Sequence, residues 1–306
     1  VKSETEYAKF MANEVKANYF EKLLDSDDFL DFLPLMIKLQ DEPIADPVCV
    51  PVYYVSKLAK ENGITVCQVG EGADELFWGY QSWKTSLYLQ KISDLFPIPF
   101  VKKIAVKLLS PFPKINNSFQ MEYLKRASNS KPIFWGGAES FTSEQKKTLL
   151  SPRLRKKFKN KSSWDSIKHI YDRFKQKAWE KSNLAWMTYL DLNLRLPELL
   201  LMRVDKMSMG VSLEGRVPFL DHKFVELAMS IPEKIKTKDG ILKNILKKSV
   251  REIIPDTIID RKKQGFDIPI HEWFLGGYGD VARKELISFC DETDFFDKNA
   301  ILKLLK

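Results

Sequence analysis

The sequence predicts an α/β protein, with a parallel α/β portion over residues 1–80 and a large, mainly helical portion over 81–306. Three observations carry this expectation. A β-branched run, Ile64-Thr65-Val66-Cys67-Gln68-Val69, hands over through Gly70-Glu71-Gly72 to a helix opened by Asp74 and Glu75. Strand-like and helix-like patterns alternate upstream of that point. Downstream of it the patterns are almost all helical.

In chain order, residues 4–16 carry Tyr7, Ala8, Met11, Ala12 and Val15 at helical spacing. Residues 19–24 read as a strand, and residues 27–39 as a second helix opened by acids and broken by Asp41-Glu42-Pro43. Pro47 can start the next helix, which runs over Tyr54, Leu58 and Ala59 to the Asn62-Gly63 stop. The 64–69 strand, expected to be buried, follows. Strand, helix and strand in one direction make a parallel unit, with ligands expected outside the carboxyl ends of its strands. Beyond residue 80, Phe96-Pro97-Ile98-Pro99 and Pro111-Phe112-Pro113 break the helical pattern. Residues 183–195 and 197–208 have broad apolar faces, the second ending near Gly210, and Asp221 is a natural N-cap for a helix turning Phe224, Leu227 and Ala228 to the core.

Composition excludes several classes. The chain of 306 residues has no apolar run long enough to span a bilayer and no signal-peptide pattern at residue 1. Its three cysteines, Cys49, Cys67 and Cys290, and three histidines, His169, His222 and His271, are scattered, which disfavours disulfide frameworks and zinc sites and fits a reducing cytoplasm. The formal charge of +8 and the basic run over 146–161, with Arg153, Arg155, Lys156, Lys157 and Lys159, invite a nucleic-acid partner. No nucleic-acid module accompanies the charge, so a solvated face is expected, with neither nucleic acid nor membrane as partner.

The chemistry concentrates at Val69-Gly70-Glu71-Gly72-Ala73-Asp74-Glu75. Glycines at a strand end let backbone approach a bulky anion, and a helix start favours negative charge. Acids so close to phosphates would repel them unless a divalent cation intervenes, which suits Mg²⁺ held by Asp74 and phosphate oxygens. Local physics therefore points to a Mg-nucleotide; a tight turn with a capped helix is the bland alternative. A second glycine loop, Trp135-Gly136-Gly137-Ala138-Glu139-Ser140, lacks a leading hydroxyl and a preceding strand, and a turn explains it better than a phosphate loop.

The stretch from Val69 through Tyr80 closely resembles the Ser-Gly-Glu-Gly-Ala-Asp-Glu-Leu-Phe-Gly-Gly-Tyr signature of the glutamine-dependent asparagine synthetase family. Four further blocks follow the family order: Asp41-Glu42-Pro43-Ile44-Ala45-Asp46-Pro47, Leu199-Leu200-Leu201-Met202-Arg203-Val204-Asp205-Lys206-Met207-Ser208-Met209, Leu213-Glu214-Gly215-Arg216-Val217-Pro218-Phe219-Leu220-Asp221, and Arg261-Lys262-Lys263-Gln264-Gly265-Phe266. The resemblance implies a parallel sheet of the adenine-nucleotide alpha-hydrolase type. It also implies ATP and Mg²⁺ as cofactors, aspartate as acceptor, a β-aspartyl-AMP intermediate, and ammonia delivered by a glutaminase domain; it admits a homodimer.

Residue by residue, the resemblance places Glu71 beside the acyl-adenylate, Asp74 at magnesium, and Val69, Gly70 and Gly72 at ATP. Lys263 falls on the leaving pyrophosphate, with Arg261 and Lys262 as second choices, and Glu75 at the helix start. Val69 stands where the family usually has serine and so loses a hydroxyl contact; Trp78 replaces a common glycine and is expected to narrow the rim of the site. Asp205 with Lys206, and Glu214, Arg216 and Asp221, are expected to be structural charge pairs in apolar surroundings. Asp41, Glu42 and Asp46 could border the acceptor pocket or make turns. The family's Ser-Gly-Gly-x-Asp-Ser loop and glutaminase domain have no counterpart here, so the chain is expected to be a C-terminal fragment, inactive alone. Two other functions stay open: an amide synthetase for another carboxylate, including β-lactam-forming, surface-polysaccharide and secondary-metabolite relatives, and a non-enzymatic binding fragment.

Overall fold

The computed structural model describes residues 4–261 and 268–305. It resolves into two compact units, each built from two stretches of chain: Val1–Phe77 with Leu196–Asp280, and Trp78–Arg195 with Val281–Lys306.

The first unit contains both strands of the described sheet, β1 (Val66–Gln68) and β2 (Glu214–Arg216). They pair in parallel, with Val66 opposite Glu214, Cys67 opposite Gly215 and Gln68 opposite Arg216. The expected parallel sheet is present, but its second strand is not the one the sequence suggested. Residues 19–24 form no regular element, and Phe20 and Leu23 face solvent, because no neighbouring strand satisfies that backbone. Nor is β1 buried: Val66 and Gln68 are exposed, since a two-stranded sheet leaves its faces open.

Helices of this unit follow local chemistry. Asp25 caps the Ser26–Leu39 helix in a reciprocal capping box with Asp28, so the helix starts one residue ahead of the expected acids. The Cys49–Glu61 helix ends at Asn62 and Gly63, where Gly63 takes φ +80°. The core joins Phe29, Phe32, Cys49, Val50 and Met207. Phe32 stacks on Tyr53 at 4.2 Å between ring centroids, and Phe29 meets Trp273 edge-on at 5.2 Å. Met207 lies on the Met202–Met209 helix, which continues a π-helical turn over Leu196–Leu201. The helix stops at Gly210, yet Gly210 is right-handed (φ −56°); a Cβ there would come within 2.8 Å of the Leu39 side chain, so close packing selects the glycine.

Asp221 caps the His222–Ser230 helix through the amides of Lys223 and Phe224, as expected. Ala228 is buried, but Leu227 is exposed, which corrects its assignment to the core: the helix has a narrow inward face.

The second unit is helical around Trp83, Met121, Phe134, Trp164, Leu184, Trp186 and Leu190, all buried. Its basic run is tied to neighbouring acids, Arg155 to Asp297 at 3.5 Å and Arg153 to Asp294, which accounts for both arginines as local ion pairs.

Candidate active site

The site grows out of the carboxyl end of β1. Val69 donates its N–H to the carbonyl of Arg216 (2.8 Å), extending the ladder one residue and consuming the backbone donor that a nucleotide could otherwise use. Gly70 is exposed, and a Cβ there would meet nothing within 4 Å. Gly72 differs. It is buried, adopts φ +94°, and a Cβ on it would sit 2.3 Å from Leu220 Cδ2. The left-handed backbone at 72, with the Leu220 side chain beneath it, by itself requires glycine there.

The following helix, Ala73–Leu76, is a single turn. So short an element has little macrodipole.

Two cations hold the acids around this turn. Arg203 has a side chain only 10% exposed and forks between two carboxylates: Nη1 donates to Asp46 Oδ2 at 2.7 Å and Nη2 to Glu71 Oε1 at 2.9 Å. A planar guanidinium is suited to holding two acids in fixed positions. Asp46 also accepts from the amide of Val48 (3.0 Å), which fixes it at the start of the Cys49–Glu61 helix. The second cation, Lys243, approaches Asp74 Oδ1 at 2.9 Å from a residue with φ +54°. Glu75 is fully buried at the helix start.

The sequence-predicted residues thus divide. Glu71, Gly72, Asp74 and Asp46 come together in the first unit, along with Leu220 and Arg203 from distant blocks. Lys263 and Lys262 lie outside the described residues; Arg261 pairs with Glu4 at 2.8 Å. Trp78 is 3% exposed and occupies a left-handed position (φ +56°), where glycine is the unstrained choice. Lys206 binds Asp41 rather than Asp205. Glu214 and Arg216 pair with each other at 2.8 Å on exposed β2, where no apolar surroundings exist to desolvate them.

Arg203 and Lys243 carry roles that sequence reasoning did not assign. An arginine inside the apolar 199–209 block was a legible signal, because a charge there needs buried partners. Lys243 offers no comparable signal. In the other unit, the Trp135 loop is a structural turn: Gly137 donates its N–H to buried Asp191 Oδ1 (3.1 Å), so a carboxylate already occupies the position a phosphate would need.

Asp74 presents a single carboxylate with its Oδ1 at 2.9 Å from the Lys243 ammonium, and a magnesium ion that keeps phosphate oxygens and waters asks only one or two carboxylates of a protein. Among the described residues no group of three or more His, Cys, Asp or Glu side chains could form a cage.

A glycine-bearing turn at the end of a parallel strand, its carboxylates held by a buried arginine and a partly exposed lysine, places the chain among the α/β proteins. A model of the Asparagine synthase family matches residues 2–306, and the chain belongs to that family. It is 31% identical over 306 residues to glutamine-hydrolyzing asparagine synthetase 1 of Bacillus subtilis, covering 99% of this chain and 46% of the relative. It is 31% identical over 276 residues to a putative glutamine-hydrolyzing asparagine synthetase of Mycobacterium bovis, covering 90% and 40%. A shorter match of 36% over 80 residues reaches the asparagine synthetase of Rattus norvegicus, covering 24% and 14%. The chain spans less than half the length of these curated relatives.

Proposed function

We propose that this chain supplies the synthetase portion of a glutamine-hydrolysing asparagine synthetase, a carbon–nitrogen ligase. In this reaction the side-chain carboxylate of aspartate attacks the α-phosphorus of ATP, pyrophosphate leaves, and ammonia displaces AMP from β-aspartyl-AMP to give asparagine. Ammonia would come from glutamine through a glutaminase domain outside this chain. One observation carries the proposal: the Asp41, Leu199 and Leu213 blocks and the Val69–Phe77 part of the signature converge in one unit, where Arg203 joins the Asp41 block to the Glu71 turn and Leu220 lies against Gly72.

In this reading Glu71, anchored by Arg203, stands beside the acyl-adenylate and accepts a proton from attacking ammonia. Asp74 would hold Mg²⁺, whose charge offsets that of the ATP phosphates. Gly70 and the Val69 carbonyl would border the nucleotide, and Gly72 would shape the turn. Lys263 would oppose the charge that develops on pyrophosphate. The sheet type would be that of the adenine-nucleotide alpha-hydrolases.

The test uses a full-length protein carrying this chain, with saturating ammonium, and follows aspartate-dependent pyrophosphate release and asparagine. Glu71→Ala is expected to depress amide formation with ATP binding retained, and Asp74→Asn to raise the magnesium requirement. Lys263→Met is expected to slow adenylation by about a hundredfold, and Lys262→Met much less. Unimpaired turnover in all of them would remove this turn and lysine from the active site.

A further inference from the structure

The second unit carries an apolar stripe that no described residue covers. The Pro99–Leu109 helix packs on the Phe119–Ser128 helix through its half-buried face, Lys102, Ala105, Val106 and Leu109. Its outward face aligns Phe100 (70% exposed), Val101, Ile104 and Leu108 (67% exposed) at helical spacing. The preceding turn extends the stripe with Leu95 (75% exposed), Phe96 and Ile98. Lys103 and Lys107, both exposed, run along one flank of it. A contiguous apolar surface of this kind marks a binding face rather than ordinary exposure.

Charge selects the occupant. Residues 95–121 contain four lysines and no acid at all; Lys102 is held by Ser93 on the packed face, which leaves Lys103 and Lys107 beside the stripe. A second copy meeting stripe against stripe would bring like-charged lysine rows together with no carboxylate in the segment to relieve them. An anionic lipid surface satisfies both halves of the pattern, taking the apolar stripe below the headgroups and the lysines among the phosphates. No described helix is long and apolar enough to cross a bilayer, so the contact is interfacial.

We propose that the Pro99–Leu109 helix and its preceding turn dock this protein peripherally on an anionic membrane surface. The proposal departs from the sequence-based expectation of no membrane partner and is independent of the reaction assigned above.

The test is co-sedimentation of the purified protein with vesicles of phosphatidylcholine alone and of phosphatidylcholine mixed with phosphatidylglycerol. Binding is expected only to the anionic vesicles and is expected to weaken with salt. Phe100→Ser with Leu108→Ser should reduce partitioning by about tenfold or more. Lys103→Gln with Lys107→Gln should cost about fivefold per lysine and flatten the salt dependence. All four side chains are exposed, so unchanged melting temperatures verify folding. Failure of the unmodified protein to bind anionic vesicles, or binding indifferent to loss of the apolar pair, overturns the proposal. So does a self-associated species that the serine pair dissociates without any vesicle binding, which would assign the stripe to a second copy.

Discussion

Replacing Arg203 with methionine keeps much of the side chain's length and removes the fork that joins Asp46 to Glu71. Each charge-assisted bond contributes about 1.5–3 kcal/mol, and stripping a buried pair of one partner costs about 3–5 kcal/mol because the remaining charge stays desolvated. Asp46 is 12% exposed and bears most of that penalty; Glu71, at 25%, recovers part of it from water. The expected loss is therefore near the lower figure, ~3 kcal/mol, or a fall in melting temperature of roughly 5 °C for a protein of this size. Urea unfolding of Arg203→Met, Glu71→Gln and the double variant measures it and closes a thermodynamic cycle. The cycle should return a coupling of about 1 kcal/mol or more between the two residues. A loss below about 1 kcal/mol for Arg203→Met, or a coupling indistinguishable from zero, would refute the claim that this arginine organises the site.

Three further outcomes are expected. Gly72→Ala should destabilise by about 2–4 kcal/mol, from overpacking against Leu220 plus the left-handed backbone, and adding Leu220→Ala should cost less than the sum of the single changes, as chemical denaturation would show. Trp78→Gly relieves about 1 kcal/mol of backbone strain but vacates a buried indole, so its melting temperature should fall; a rise would show that strain dominates. Burial, reinforced by the nearby Asp46 carboxylate, pushes the Cys49 thiol from 9.0 up to about 11, so iodoacetamide at neutral pH should spare it in the native protein. The unfolded thiol loses its proton first, so folding stability should decline as pH rises from about 9 to about 11, and Cys49→Ala should remove that part of the decline in alkaline unfolding titrations.

Legibility in the sequence followed the range of the interactions. The capped helix after Asp25, the Asn62-Gly63 stop and the Asp221 cap are local, and spacing alone located them. The strand entering the glycine turn was legible for the same reason. Its partner was not: Glu214-Gly215-Arg216 is too short and too polar to read as a strand, and only pairing with β1 makes it one. The misassigned strand at 19–24 shows the converse, because Phe20 and Leu23 have strand propensity but nothing to pair with. At the candidate site, the acids were visible as a motif, whereas the cations that hold them come from far along the chain. At Gly72 the motif showed the glycine but not the Leu220 side chain that lies against it from a distant block.

The alternation of the two units along the chain has a consequence for biosynthesis. β1 leaves the ribosome long before β2, and at about 5–20 residues per second the wait is on the order of 10–30 s, during which an apolar strand edge has no mate. The Glu71 turn likewise emerges without Arg203, Leu220 or Lys243, so the chain must be nearly complete before the acids acquire their counter-charges. Truncation at residue 80 would preserve every residue of the glycine motif and abolish its architecture. Nascent first-unit segments should therefore be clients for chaperones that shield strands, and the yield of soluble protein should depend on translation speed between residues 78 and 216 more than elsewhere.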